Sequence, residues 1–74
     1  MRYRVKHTLK VWRQIAGLSQ VEMADALRER GLNTTQATIS SWETGRTHPN
    51  AEAIAEIEKV LKIRWSDDIV MPKE

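Results

Sequence analysis

The chain has 74 residues, of which 41% are hydrophobic and 30% charged, and it carries a net charge of +2 and no cysteine. This length suits one small domain, and the composition is too apolar for a disordered chain. No run approaches the roughly 18 apolar residues of a membrane-spanning helix, and the lack of cysteine excludes disulfides and Cys-based zinc sites, which fits a cytoplasmic protein.

Three glycines mark the ends of the first three predicted helices, because glycine adopts the left-handed conformation at a helix end without strain. They are Gly17, Gly31 and Gly45. Helix 1 is predicted over residues 8–16, where Leu9, Trp12 and Ala16 recur with helical spacing. No segment alternates with a period of two for long enough to predict a strand, so we expect an all-helical fold.

Helices 2 and 3 have clear start signals. Ser19 followed by Glu22 is a capping box, and it predicts that helix 2 begins there and continues to about residue 30. Thr35 is the predicted N-cap of helix 3, with Thr34 as the alternative. Ile39 and Trp42 form the inward face of that helix, which we expect to end at residues 44–45.

Two further helices complete the predicted fold. Helix 4 is predicted over residues 51–62, with Asn50 as its cap. Its apolar face is formed by Ala51, Ile54, Ile57 and Leu61. Ser66 is expected to cap a last short helix, with Asp67 and Asp68 in its first turn and Pro72 at its end. The sequence therefore predicts one five-helix domain over residues 1–74, with a basic N-terminal arm over 1–7 and a helical core over 8–71.

Helices 2 and 3 are joined by a tight turn, and helix 3 is short and polar on its outer side. Such a pair is typical of a helix-turn-helix, whose second helix fits the major groove of DNA. Helical periodicity alone does not separate this arrangement from other small helical bundles.

The identities of the residues distinguish these possibilities better than the helical periodicity does. The run LSQVEMADAL, then TTQATISSWETGR, then a proline and the pattern AxxIxxIxxxLxI, resembles the Cro and lambda-repressor type of helix-turn-helix domain, the Xre family, over about residues 8–70. The resemblance implies a compact five-helix lambda-repressor-like domain. The segment between Leu27 and Ile39 is about five residues longer than the common family spacing, which predicts an extra turn of helix 2 and a longer connection.

Base contacts are expected from the start and outer face of helix 3. A glutamine there can pair its amide with N6 and N7 of adenine, and the resemblance implies that Gln36 reads a base, although an ordinary solvent-facing glutamine has the same position. The other candidates for base contact are Ala37, Thr38 and Ser41.

Phosphate contacts are expected on both sides of the reading helix. The resemblance implies that Gln20 clamps a phosphate together with the free amides at the start of helix 2. The other candidates are Thr35, Arg46, Thr47, His48 and Asn50. For Asn50, capping alone is an equal alternative. The basic arm with Arg2, Arg4 and Lys6 either follows the DNA backbone or is a frayed terminus.

The charge is unevenly distributed along the chain. Residues 1–50 carry eight Lys or Arg against four Asp or Glu, a balance of +4, and residues 51–74 carry four against six, a balance of −2. A basic part beside an acidic part suits a domain that turns one face to phosphates, although a mixed solvated surface has a similar composition.

Two charged residues stand beside inward-facing tryptophans. Arg13 follows Trp12, and Glu43 follows Trp42. The resemblance implies that Arg13 and Glu43 pair in a partly buried salt bridge between helices 1 and 3. The hypothesis is that this pair positions the reading helix and does not contact DNA.

The C-terminal part of the chain holds an apolar group larger than a short helix needs for its own core. It consists of Trp65, Ile69, Val70 and Met71, with Val60 as a further candidate. We expect it to form the contact between two copies of the chain, because repressors of this kind bind two half-sites as two-fold dimers. The alternative is that Trp65 and Ile69 close the core of one copy.

The expected function is sequence-specific binding of double-stranded DNA by a homodimeric transcription repressor of phage or mobile-element type, on a two-fold operator. The alternative is an antitoxin or a protein-interaction module whose main partner is another protein. An enzyme is not expected, because the sequence has no phosphate-binding glycine loop, no metal-ligand spacing and no base with an orienting partner. We expect no metal and no cofactor.

Overall fold

Five helices lie within residues 6–71, the part of the chain that the computed structural model describes. They are α1 (Leu9–Ile15), α2 (Gln20–Glu29), α3 (Gln36–Thr44), α4 (Ala51–Leu61) and α5 (Trp65–Asp68). The one strand-like pairing in this part is an isolated parallel bridge between His7 and Ile69. The predicted all-helical, five-helix fold is confirmed.

The helices begin where side chains satisfy their first amides. The Ser19 hydroxyl accepts a hydrogen bond from the Glu22 amide at 3.0 Å, and the Glu22 carboxylate accepts one from the Ser19 amide at 2.8 Å, so the predicted capping box is formed. The hydroxyl of Thr35 accepts from the Thr38 amide at 3.3 Å and caps α3. Asn50 caps α4, and α3 ends at Gly45 in the left-handed conformation with φ 82°.

The predicted start of the last helix is wrong. Ser66 lies inside α5, and Arg64 stands at the N-cap position without a side-chain cap. The carboxylate of Glu58 on α4 accepts the Trp65 amide at 2.7 Å, and the carboxylate of Asp68 accepts the Arg64 amide at 2.8 Å. These two acceptors take over the role of a cap, so the helix begins before Ser66. Pro72 lies outside the described residues.

The core is built by α1 to α4 and the α4–α5 segment. The side chains with no exposed surface are Leu9, Met23, Leu27, Ile39 and Ile57. Two predicted inward positions are wrong. Ala53 is buried where Ala51 was expected, because Ala51 opens α4 at its solvated end, and Ala16 is exposed because it lies beyond the last residue of α1.

The start of the described chain is tied to its end. The His7 amide donates to the Asp68 carbonyl at 3.0 Å, and the Val70 amide donates to the His7 carbonyl at 3.0 Å. The Trp12 indole N–H donates to the same Asp68 carbonyl at 2.7 Å. His7 of the expected basic arm is therefore held against the C-terminal segment, Lys6 is exposed, and Arg2 and Arg4 lie outside the described residues.

A buried ion pair connects α1 to α3. Nε of Arg13 lies 2.6 Å from Oε2 of Glu43, and Nη2 of Arg13 donates to Oε1 of Glu43 at 3.3 Å. The side chains are only 9% and 4% exposed. Nη1 of Arg13 donates to the Leu18 carbonyl at 2.7 Å, so one guanidinium joins α1, the α1–α2 turn and α3. Two parallel bonds to a carboxylate fix the mutual orientation of the two helices.

We expect Glu43→Ala to lower the free energy of unfolding by about 3–5 kcal/mol, because it leaves the Arg13 charge buried without its partner. Urea unfolding followed by far-UV circular dichroism measures the change. Arg30→Ala is the control, because Arg30 pairs with Glu56 at 2.6 Å on a solvated surface and its loss should cost far less. A loss below about 1 kcal/mol for Glu43→Ala, as for exposed pairs, would contradict a stabilising role for the buried pair.

The capping box makes the stability depend on pH. The hydrogen bond from the Ser19 amide, and then that from the Ser19 side chain, lowers the pKa of Glu22 below its usual 4.5. A lowered pKa in the folded chain stabilises it above the unfolded-state pKa, and this contribution is lost as the pH falls through the folded value. We expect Glu22→Gln, which keeps an acceptor oxygen but carries no charge, to lose less stability between pH 7 and pH 3 than the wild type in melting experiments. Equal acid slopes would refute this.

Candidate nucleic-acid interface

The buried face of α3 determines which of its residues can contact a ligand. Ile39 is fully buried and Trp42 is 6% exposed, so the opposite side of the helix faces solvent. Gln36 and Ala37 are exposed there, and the half-buried residues at its edge include Thr38 and Ser41. All four residues expected to contact bases therefore have accessible surface.

A chain of hydrogen bonds leads from the buried ion pair to this surface. The side-chain nitrogen Nε2 of Gln20 donates to Oε1 of Glu43 at 3.0 Å. The side-chain nitrogen Nε2 of Gln36 donates to the side-chain oxygen of Gln20 at 3.3 Å. Gln20 at the start of α2 thus lies between the buried carboxylate and the exposed start of α3.

The chemistry of Glu43 decides which way both amides face. An ionised carboxylate only accepts hydrogen bonds, so the NH₂ group of Gln20 must face Glu43 and its carbonyl oxygen must face Gln36. Gln36 then turns its own NH₂ group toward Gln20. This leaves the carbonyl oxygen of Gln36 and one N–H free at the surface, an acceptor beside a donor.

Sequence reasoning selected Gln20 and Gln36 separately and missed the bond between them. The two residues are 16 positions apart, and no spacing rule relates the start of one helix to the start of the next. The bond also uses part of the capacity of Gln20, which was expected to contact a phosphate. One N–H of its amide remains for such a contact.

The hydroxyls of Thr35 and Thr38 form a second polar pair at the start of α3. Their oxygens lie 3.2 Å apart, and the Thr35 hydroxyl also accepts from the Thr38 amide. Thr35 is exposed, but its main local role is to cap the helix. The hydroxyl oxygen of Thr35 is therefore held in place at the start of α3, directly before Gln36.

The loop after α3 folds back onto the end of that helix. The amides of Arg46 and Thr47 both donate to the Ser41 carbonyl, at 3.0 and 3.4 Å. Arg46, Thr47 and His48 are exposed, and Asn50 is exposed while its side-chain oxygen caps α4 at 2.8 Å from the Ala53 amide. The side chains of Thr38, His48 and Asn50 line one cleft, so the structure brings candidates from α3 and the loop together.

The C-terminal apolar group is divided between core and surface. Ile69 is buried, and Trp65, Met71 and Val60 are partly buried against the core. Val70 differs, because 45% of its surface is exposed. Most of the group therefore packs within one copy of the chain, which is the alternative that was set against a dimer contact. Val70 remains available to a second copy.

Neither a metal cluster nor a membrane span is found in residues 6–71. No group of three or more His, Asp or Glu side chains there could hold a metal ion. None of the described helices is long and apolar enough to cross a membrane.

The comparison with protein families agrees with the geometry. The helix-turn-helix family model matches residues 9–67, a span that contains α1 to α4 complete and most of α5. No curated protein and no solved structure matches the chain. The family consists of DNA-binding regulatory domains. The chain therefore belongs to the helix-turn-helix family of the Xre and lambda-repressor type, and it is a DNA-binding domain of the transcription-regulator kind.

Proposed function

We propose that the chain is a repressor of phage or mobile-element type that acts in the cytoplasm, binds a two-fold operator as a homodimer and reads the major groove with α3. One observation carries the proposal. The chain of hydrogen bonds through Gln20 leaves the amide of Gln36 with a free acceptor and a free donor at the start of α3.

The free groups of Gln36 are complementary to adenine. The carbonyl oxygen can accept from N6 of the base while the remaining N–H donates to N7, which is the bidentate pair that glutamine forms in the major groove. Ala37 beside it has a methyl group for a thymine methyl, and the hydroxyls of Thr38 and Ser41 serve as further base contacts. Because Gln36 is already held by Gln20, little side-chain freedom is lost when it meets the base.

Phosphate contacts on both sides of α3 would hold this helix in the groove. On one side lie Gln20 and the amides at the start of α2, and on the other lies the loop after α3. The candidate side chains are Thr35, Arg46, Thr47, His48 and Asn50. Neutralised phosphates release counterions, so affinity for DNA should fall steeply with salt.

The polar outer face of α3 favours a DNA-binding regulator over a module that binds only proteins. A surface that binds other proteins is expected to expose apolar residues at its centre. The large exposed hydrophobic side chains of the described residues are Ile15, Val21 and Val70, and none of them lies on α3.

The first test is the selection of bound sites from random duplexes. We expect the wild type to enrich a two-fold motif with one adenine per half-site that Gln36→Ala no longer prefers, a loss of about 1–3 kcal/mol of discrimination at that base pair. Gln14→Ala, which removes an exposed amide on α1, is the matched control and should keep the motif. The absence of any enriched motif at low salt would refute sequence-specific reading.

The second test concerns the homodimer. We expect Val70→Asp to shift the chain toward the monomer in sedimentation experiments at tens of micromolar, because a charge in a desolvated apolar contact is unfavourable. Val70 is chosen over Met71 because Met71 also packs against the core of its own copy. Val21→Asp is the control, since Val21 is 48% exposed on α2, outside the proposed contact. Sedimentation of the wild type and the Val70→Asp variant as the same species would contradict the proposed interface.

A further inference from the structure

The connection between α2 and α3 is held by few hydrogen bonds. α2 ends in a tight turn at Gly31, where φ is 93° and the Leu32 amide donates back to the Leu27 carbonyl at 3.0 Å. Beyond this turn, the backbones of Asn33 and Thr34 make a single hydrogen bond with the other residues of the described range 6–71. The path of the chain into α3 therefore depends on that bond and on the burial of Leu32 and Thr34.

The bond comes from Arg28, near the end of α2. Nη1 of its guanidinium donates to the Thr34 carbonyl at 2.9 Å, and Nη2 pairs with the carboxylate of Asp25. The guanidinium is planar and its N–H groups point in fixed directions, so a pairing on one side limits where the other side can donate. Asp25, three residues earlier on the same helix, thus directs Arg28 toward the connection.

The carbonyl of Thr34 has a second possible partner, which is the amide of Thr38. In a helix that began one residue earlier, with Thr34 as its N-cap, this carbonyl would accept the Thr38 amide as the first bond of the helix. In the structure the Thr38 amide donates to the Thr35 hydroxyl at 3.3 Å, and Thr35 is extended, with φ −135° and ψ 168°. Arg28 therefore occupies the acceptor that the earlier start would use.

We propose that Arg28 is a positioning residue that fixes Thr35 as the start of α3. While Arg28 binds the Thr34 carbonyl, Gln36 is the first residue of the helix, and its side chain contacts that of Gln20. Without Arg28 both threonines compete as caps, and the backbone of Thr35 takes the helical conformation when Thr34 wins. The inference rests on the proposed reading of DNA by α3 and adds to it a residue that contacts no base.

The first experiment compares an operator obtained from the site selection with an unselected duplex, by fluorescence anisotropy. We expect Arg28→Ala to bind the operator about tenfold more weakly, which is within the range of one bidentate base contact, and the unselected duplex about as well as the wild type. The slope of log K against log salt should stay that of the wild type, because no phosphate contact is lost.

Arg30→Ala is the matched control for the loss of an arginine at this end of α2. The side chains of Arg30 and Arg28 are similarly exposed, at 42% and 45%, and both form ion pairs. Arg30 pairs with Glu56 on α4 and donates no hydrogen bond to the α2–α3 connection within the described residues. We expect this variant to keep the discrimination of the wild type between operator and unselected duplex.

Two results of the binding experiment would overturn the positioning role. Equal weakening on both duplexes, with a salt slope reduced by about 0.9, would make Arg28 a phosphate contact. Discrimination equal to that of the wild type would leave Arg28 with a structural role only. A loss of stability alone lowers both affinities by the same factor and does not change their ratio.

The second experiment locates the start of α3 by NMR in the free chain and needs no DNA. We expect the Cα chemical shift of Thr35 in Arg28→Ala to move from an extended toward a helical value. The signals of Ile39 and Trp42, in the buried middle of α3, should stay near those of the wild type. In Arg30→Ala the Thr35 signal should not move. An unchanged Thr35 signal in Arg28→Ala would refute the positioning role.

The two experiments separate the role of Arg28 from the proposed function. If the selection enriches no motif while the Thr35 signal moves in Arg28→Ala, Arg28 does position α3 and the operator readout fails. If an operator is found and Arg28→Ala discriminates as the wild type does, only the role of Arg28 fails.

Discussion

The buried carboxylate of Glu43 is the constraint on which the rest of the site depends. At 4% exposure its charge is tolerated only with a partner and with its oxygens hydrogen-bonded, and Arg13 and Gln20 supply both. Arg13 belongs to α1, Gln20 to α2 and Glu43 to α3. The buried charge of Glu43 therefore requires three helices to meet in one arrangement. An apolar contact of the same size would allow a wider range of arrangements.

The same charge acts on the surface through the direction of hydrogen bonds. A carboxylate that can only accept orients the amide of Gln20, and that amide in turn orients Gln36. The surface pattern of donor and acceptor thus follows from a group in the interior. The side chain of Gln36 is held by this hydrogen bond and is therefore more rigid than one that projects freely into solvent, which suits the base contact proposed for it.

Local signals in the sequence predicted local structure well. Ser19, Thr35 and Asn50 cap their helices because each accepts an amide three residues ahead, a geometry that depends on the nearest neighbours alone. Ser66 failed because a carboxylate on α4 reached the amide of Trp65, and that proximity arises only in the folded chain. The Gln20–Gln36 bond and the attachment of His7 to the C-terminal segment were beyond prediction for the same reason.

The α2–α3 connection shows how a local choice has a wider consequence. Thr34 and Thr35 were both acceptable caps, and the chain uses Thr35, which leaves Thr34 buried behind the start of α3. An unpartnered buried hydroxyl costs about 1–3 kcal/mol, a large amount for a domain whose total stability is of the order of 10 kcal/mol. Valine would avoid this cost at nearly the same volume. A departure from local consistency is expected at functional positions, and this one lies beside α3, the helix proposed above to read DNA.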